Sequence, residues 1–284
     1  MILQKEIYTH RDKYNVPPST IDKDWILGHL LNAMYSFREV QENFVFKGGT
    51  CLKKCYFKDY RFSEDLDFTL LDATFAVDAS FISKIIKQAE KTSGAKFYLL
   101  TVKEQIHNNI KQGYEVIIKF WGADHKVNQK PLPTKRWQTK IKLDISFSEE
   151  LLLSAVMQKI IHPYSDSDKI TNLVPVYDYS EIVAEKLRAL VQRNRPRDIY
   201  DNWYFLHYTK HEDYESIKNL LVQKANTKKV DISKLENFVN DKKRMSNKRA
   251  WEDSLKHQID EQKLPDFNNA YKAIEIFIEK ILNL

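Results

Sequence analysis

Apolar residues recur at helical spacing across 20–38, TIDKDWILGHLLNAMYSFR, where Ile26, Leu30, Ala33 and Phe37 share one stripe. Pro17 and Pro18 precede this stretch, and Thr20 or Asp22 can cap it. Phe44-Val45-Phe46 is a short apolar run ending at Gly48-Gly49 and reads as a strand, with the first turns of a helix over 50–57. β-Branched and aromatic density with period-two alternation predicts strands at 65–71, 96–104, 114–121 and 140–148, and a helix is expected at 79–92. From about 151 the pattern turns helical. Helices are expected at 180–193, 196–208 (Pro196 at the first position), 214–224, 231–241, 249–259 and 266–283. The last carries the stripe Phe267, Tyr271, Ile274, Phe277, Ile278 and Ile281. The expected fold class is α+β: a small mixed sheet flanked by helices over 1–150, then an all-helical lobe over 151–284.

Alternation also places charge. Asp65 and Asp67 are two apart on a strand, so both project from one face while Leu66 and Phe68 enter the core. In the strand at 140–148, Ile141, Leu143, Ile145 and Phe147 take one face and Lys140, Lys142, Asp144 and Ser146 the other. If the two strands are neighbours, Asp144 joins Asp65 and Asp67. Like charges held that close repel, and neutral burial or a cation must relieve them; three hard oxygen donors suit Mg²⁺ or Mn²⁺. Gly48-Gly49 before a helix lets backbone amides approach an anion, and Thr50 and Ser63 add hydroxyl donors. The combination reads as a triphosphate cradle beside a divalent-metal site. Taken singly, a Gly-Gly turn is an ordinary turn and an Asp-x-Asp a solvated strand edge.

Composition narrows this. The 284 residues carry a net charge of +6, with five basic side chains in KKRMSNKR (242–249) and five more over 126–140 around Pro131, Pro133 and Trp137. Such clusters suit a polyanion such as RNA, although solvated helix faces and a loop would also account for them. No apolar run approaches the roughly 18 residues a membrane span needs, and the start lacks an apolar signal core, so a cytoplasmic, membrane-free protein is expected. Cys51 and Cys55 suit one helical face rather than a disulfide framework. His207 and His211, four apart, are read as surface decoration.

An apolar strand, Gly-Gly, a helix, then Asp-apolar-Asp and a later third carboxylate resembles the nucleotidyltransferase superfamily. More narrowly, FKGGTCLKK, RFSEDLDF, AEKLRAL and RPRDIYD resemble the AbiEii/AbiGii-type toxins of type IV toxin–antitoxin systems, along with the late segments WEDSLKHQI and LPDF. Lys53 stands where that branch has arginine, which keeps charge and loses the bidentate fork. The resemblance implies a bilobed nucleotidyltransferase fold that moves an NMP from an NTP to an acceptor, with tRNA 3′ ends as acceptors in some members. Asp65, Asp67 and Asp144 would hold the metals, and Lys186 would neutralise outer phosphates with Gly48, Gly49, Thr50, Ser63 and Arg193. Asp198 would orient Lys186 or the acceptor. Lys47, Lys53, Arg61, Arg195, Arg197 and Asp201 would surround the acceptor or support the site. A cognate antitoxin is the implied protein partner. Read without the resemblance, 180–193 is an ordinary amphipathic helix, and Asp198 and Asp201 complement a helix start. Two other functions use the same residues: a metal-dependent phosphohydrolase or nuclease, and a non-catalytic RNA- or protein-binding module on a transferase fold.

Overall fold

The computed structural model describes residues 1–126, 128–208 and 214–284, so His211 lies outside the described residues. The chain forms two compact units: Met1–Glu149 with Ala155–Val176, and Glu150–Ser154 with Tyr177–Leu284.

The first unit begins with α1 (Gln4–Tyr14), α2 (Pro18–Met34) and α3 (Arg38–Asn43). α2 is apolar on nearly every side. Trp25, Ile26, Leu27, Leu30 and Leu31 are fully buried, which is how an all-round hydrophobic helix sits inside a domain. It ends at Met34, before Phe37, which instead precedes α3 in extended conformation. Next come β1 (Phe44–Lys47), α4 (Gly48–Cys51) continued by a π-helical turn over Leu52–Tyr56, β2 (Leu66–Leu70) and α5 (Ala79–Ser93). The strands β3 (Lys96–His107), β4 (Ile110–Trp121), β5 (Lys140–Ser146), β6 (Val156–Lys159) and β7 (Leu173–Val176) complete the unit. Seven strands make one mixed sheet in the order β3-β4-β5-β2-β1-β7-β6. β2 runs parallel to β5 and antiparallel to β1. Alternation sends Phe46, Phe68, Val116, Ile118, Leu143 and Ile145 into the core, each fully buried. The mixed sheet and its strands at 66–70 and 140–146 agree with the periodicity reading. α1, β6 and β7 were not expected.

The second unit is helical: α6 (Tyr179–Gln192), α7 (Pro196–Tyr208), α8 (Tyr214–Thr227), α9 (Leu235–Phe238), α10 (Asp241–Leu255) and α11 (Phe267–Leu282). The stripe foreseen for α11 is buried as a set. The helix expected at 231–241 shrinks to α9, because Asn240 turns extended and caps α10 through the Lys243 amide at 3.0 Å. Lys243, inside the basic run, donates to the Leu190, Val191, Asn237 and Phe238 carbonyls at 2.5–3.3 Å. That ammonium closes the end of α6.

One buried acid in the first unit carries a pH dependence. Asp22 is 1% exposed and accepts from the Ala123 amide at 2.7 Å, and a methyl on Gly122 would overlap its carboxylate. Burial pushes its pKa up to about 7, against the pull of those amides. A carboxyl raised above its unfolded value of about 3.9 contributes fully below that value and loses its contribution as pH rises through 7. Urea unfolding at pH 5 and 8.5 should therefore show wild type weaker at the higher pH, by up to about 2.5 kcal/mol from this group. Asp22→Asn should flatten the difference, and a variant as pH-sensitive as wild type would refute the assignment.

Candidate active site

The parallel register places Asp67 directly beside Asp144, and the antiparallel register places Lys47 beside Asp67 and Glu115 beside Asp144. Residues directly opposite on neighbouring strands share a face with Cβ atoms about 5 Å apart. A row of charge therefore crosses five strands: Lys103, Glu115, Asp144, Asp67, Lys47. Asp65 enters β2 two residues before Asp67 and is half-buried like it. The Asp144 carboxylate accepts from Gln105 Nε2 at 3.3 Å and faces Lys142 Nζ at 3.4 Å. Burial lowers the Lys142 pKa, but the fields of Asp144, Asp65 and Asp67, with the hydrogen bond to Asp144, outweigh it and raise the value overall. Lys142 therefore feels all three carboxylates.

Beside this row is the glycine turn. Gly48 has φ +80°, a conformation side chains rarely adopt, and a methyl there would overlap Asp67 Oδ2. A methyl on Gly49 would lie 3.1 Å from Arg61 Nη2 and 3.3 Å from Ser63 Oγ. The bare turn thus brings Asp67, Arg61 and Ser63 to the backbone of 48–49. Thr50 is buried, and its hydroxyl donates to the Asp65 carbonyl, which fastens the start of β2 to α4. Lys53 is buried too. It donates to the Lys58 and Tyr60 carbonyls at 2.7 and 2.9 Å, over the Phe62 ring. Its charge staples the 57–62 loop.

The second unit holds the other expected residues in one network joining α6 to α7. Lys186 Nζ donates to Asp201 Oδ2 at 2.7 Å, with Asp201 fully buried. Arg193 grips both oxygens of the fully buried Asp198, at 2.9 and 2.8 Å. Asn202 ties the Lys186 and Asp198 carbonyls together at 3.1 and 2.8 Å. It is Asp201, not Asp198, that takes the Lys186 ammonium. Arg195 is exposed and Arg197 half-buried at the start of α7. His207 is exposed and bonded to the Trp203 carbonyl at 2.9 Å.

The carboxylate face fits a divalent cation. Its donors are hard oxygens on one sheet face, and a tethered ammonium already stands at Asp144. Among the described residues, the set of three ligand-type side chains with atoms all within 4.8 Å of one another lies elsewhere, at His29, His162 and Asp166. Asp166 accepts from Trp25 at 3.2 Å, His29 at 3.0 Å and His162 at 3.1 Å. Despite burial, those donors hold the Asp166 carboxyl well below the usual range. Burial lowers the His162 pKa. The triad can offer a nitrogen-rich site to a transition metal, and as it stands it clasps 162–166 to α2. The periodicity reading missed it, together with Glu115, Gln105 and the bond at Lys142. Only β4 alternation, Tyr114-Glu115-Val116, hinted at one of them.

Residues 29–273 match the family described as nucleotidyl transferase AbiEii toxin, type IV TA system. The chain belongs to the AbiEii family. Among solved structures it is similar to MenT4, a nucleotidyltransferase toxin from Mycobacterium tuberculosis H37Rv, at 18% identity and TM-score 0.62 over 99% of this chain and 89% of that one. It is also similar to an H. pylori chain described as a nucleotidyltransferase, at 16% identity and TM-score 0.53 over 91% and 92% of the two chains. At these identities the structures speak for the fold. No curated protein matches. This AbiEii protein is thus a nucleotidyltransferase toxin, with the NTP substrate and antitoxin partner its family implies. No helix among the described residues is long and apolar enough to cross a membrane.

Proposed function

We propose that this AbiEii protein transfers an NMP from an NTP to an RNA 3′ end, with tRNA as the acceptor, in the cytoplasm, and that Asp65, Asp67 and Asp144 hold the required Mg²⁺ or Mn²⁺. The observation that carries this reading is the Asp67–Asp144 register beside the Gly48-Gly49 turn. When bound, divalent ions would neutralise the polyphosphate and the charge that develops during in-line displacement. The acceptor hydroxyl oxygen forms a bond to the α-phosphorus, the bond to the β-phosphate oxygen breaks, and pyrophosphate leaves. Asp144 receives the hydroxyl proton. The amides of 48–49, with Ser63 and Arg61 beside them, hold phosphate oxygens. Within the second unit, Lys186, which donates to Asp201, is proposed as a phosphate-binding group, while Asp198 fixes Arg193. The exposed members of the basic clusters, such as Lys130, Lys135, Lys248 and Arg249, favour a polyanionic acceptor.

The test is incubation with α-labelled NTPs, Mg²⁺ and total tRNA. Label should enter tRNA and EDTA should prevent it. Lys186→Ala should lower kcat/KM for NTP about a hundredfold or more, the cost of losing a charge-assisted phosphate contact near 3 kcal/mol. RNA shortened rather than lengthened would favour a nuclease, and NTP binding without transfer a binding module.

A further inference from the structure

We infer that Lys142 is a tethered counter-ion of the carboxylate face: it occupies the cation position while divalent ions are absent and is displaced when they bind. The inference rests on the proposed metal site. β5 presents Lys142 and Asp144 from the same face, two residues apart. About 7 Å of strand separates them, which a lysine side chain spans. Its ammonium stands 3.4 Å from Asp144 Oδ2, with side-chain exposures of 34% and 31%, so both ends remain open to solvent. Across β4, Glu115 stands beside Asp144, and Asp67 stands beside it on β2. The flanking lysines, Lys103 and Lys47, sit on β3 and β1 at the outer ends of that row. Lys142 approaches from along β5, two residues before Asp144.

Like charges in a row repel, and a monovalent cation on a flexible stem relieves this without fixing geometry. A divalent ion does so better, with direct oxygen ligation, and the two cannot occupy one place. Metal entry therefore costs the bond to Lys142 and frees an ammonium at the edge of the site, where phosphate oxygens of the substrate would arrive. A site masked about nine-tenths of the time binds its ligand about tenfold more weakly.

The experiment is Mn²⁺ titration of the full chain without nucleotide, reading free Mn²⁺ by electron paramagnetic resonance. Wild type, Lys142→Met, Lys142→Arg and Asp65→Ala are compared. Lys142→Met should bind the first Mn²⁺ roughly tenfold more tightly than wild type. Lys142→Arg, which keeps the charge, should titrate like wild type. Unchanged or weaker binding by Lys142→Met, with Asp65→Ala still abolishing binding, would overturn the counter-ion role and leave the metal reading standing. Wild type that binds no Mn²⁺ would overturn both. Repeating the titration at high salt separates a local competitor from general surface charge, because only the latter contribution should fade.

Discussion

Asp67→Ala should reduce nucleotide transfer by at least about a thousandfold, equivalent to roughly 4 kcal/mol of transition-state stabilisation. The size follows from position. Asp67 sits between Asp144 on β5 and Lys47 on β1, and its carboxylate abuts Gly48. No neighbour can replace it without a shift of strand register, which would turn every side chain of β2 to the wrong face. Stability should change little, because one of three repelling charges is removed from a half-exposed site. Initial rates with labelled NTP, Mn²⁺ binding and scanning calorimetry check the three parts together. A variant that transfers within tenfold of wild type would remove Asp67 from the chemistry.

The second large effect concerns stability. Lys54 and Asp24 form an ion pair at 2.7 Å with side-chain exposures of 1% and 2%. Tyr164 donates its hydroxyl to the same Asp24 oxygen at 2.8 Å, and the Lys54 carbonyl accepts from Ile161 at 2.6 Å. Burial works against the Asp24 carboxylate, but Lys54, Lys53 and the hydrogen bonds hold its pKa below the ordinary value. Removing one member of a buried pair strands the other charge, at about 3–5 kcal/mol. Asp24→Ala should therefore lower Tm by roughly 10 °C, given a few degrees per kcal/mol for a domain of this size. The double variant Asp24→Asn/Lys54→Met should recover a large part of that loss. A double variant whose loss equals the sum of the singles would show that the two side chains do not couple. The same pair also gives an acid limit: a depressed carboxyl contributes stability above about pH 4 that is lost as pH falls further.

Much of the first unit was legible because its strands alternate. The faces of Leu66–Leu70 and Lys140–Ser146 follow from period two alone, and so does the shared face of Asp67 and Asp144 once the strands pair. Their adjacency does not follow, since it depends on β5 pairing with β2 across residues 71–139. α1 escaped notice because it buries only Ile7 and is otherwise polar. β6 and β7 have four residues each, and Pro175 interrupts the usual strand signature of β7. The pairing of Lys186 with Asp201 needed the crossing of α6 and α7, which periodicity cannot supply. Nor can composition separate Lys243, sunk on four carbonyls, from the open lysines beside it. The clasp of His29, His162 and Asp166 joins residues more than 130 positions apart, and no local pattern announces it.

The crowding of Gly48 against Asp67 has a genetic consequence. Any side chain at position 48 meets both an unfavourable backbone angle and an occupied carboxylate. Every glycine codon is a single base change from an alanine codon, so one transversion sets a methyl group against the Asp67 carboxylate. When cells are selected for survival of the toxin's overproduction, survivors carrying full-length protein should be enriched for lesions at this codon.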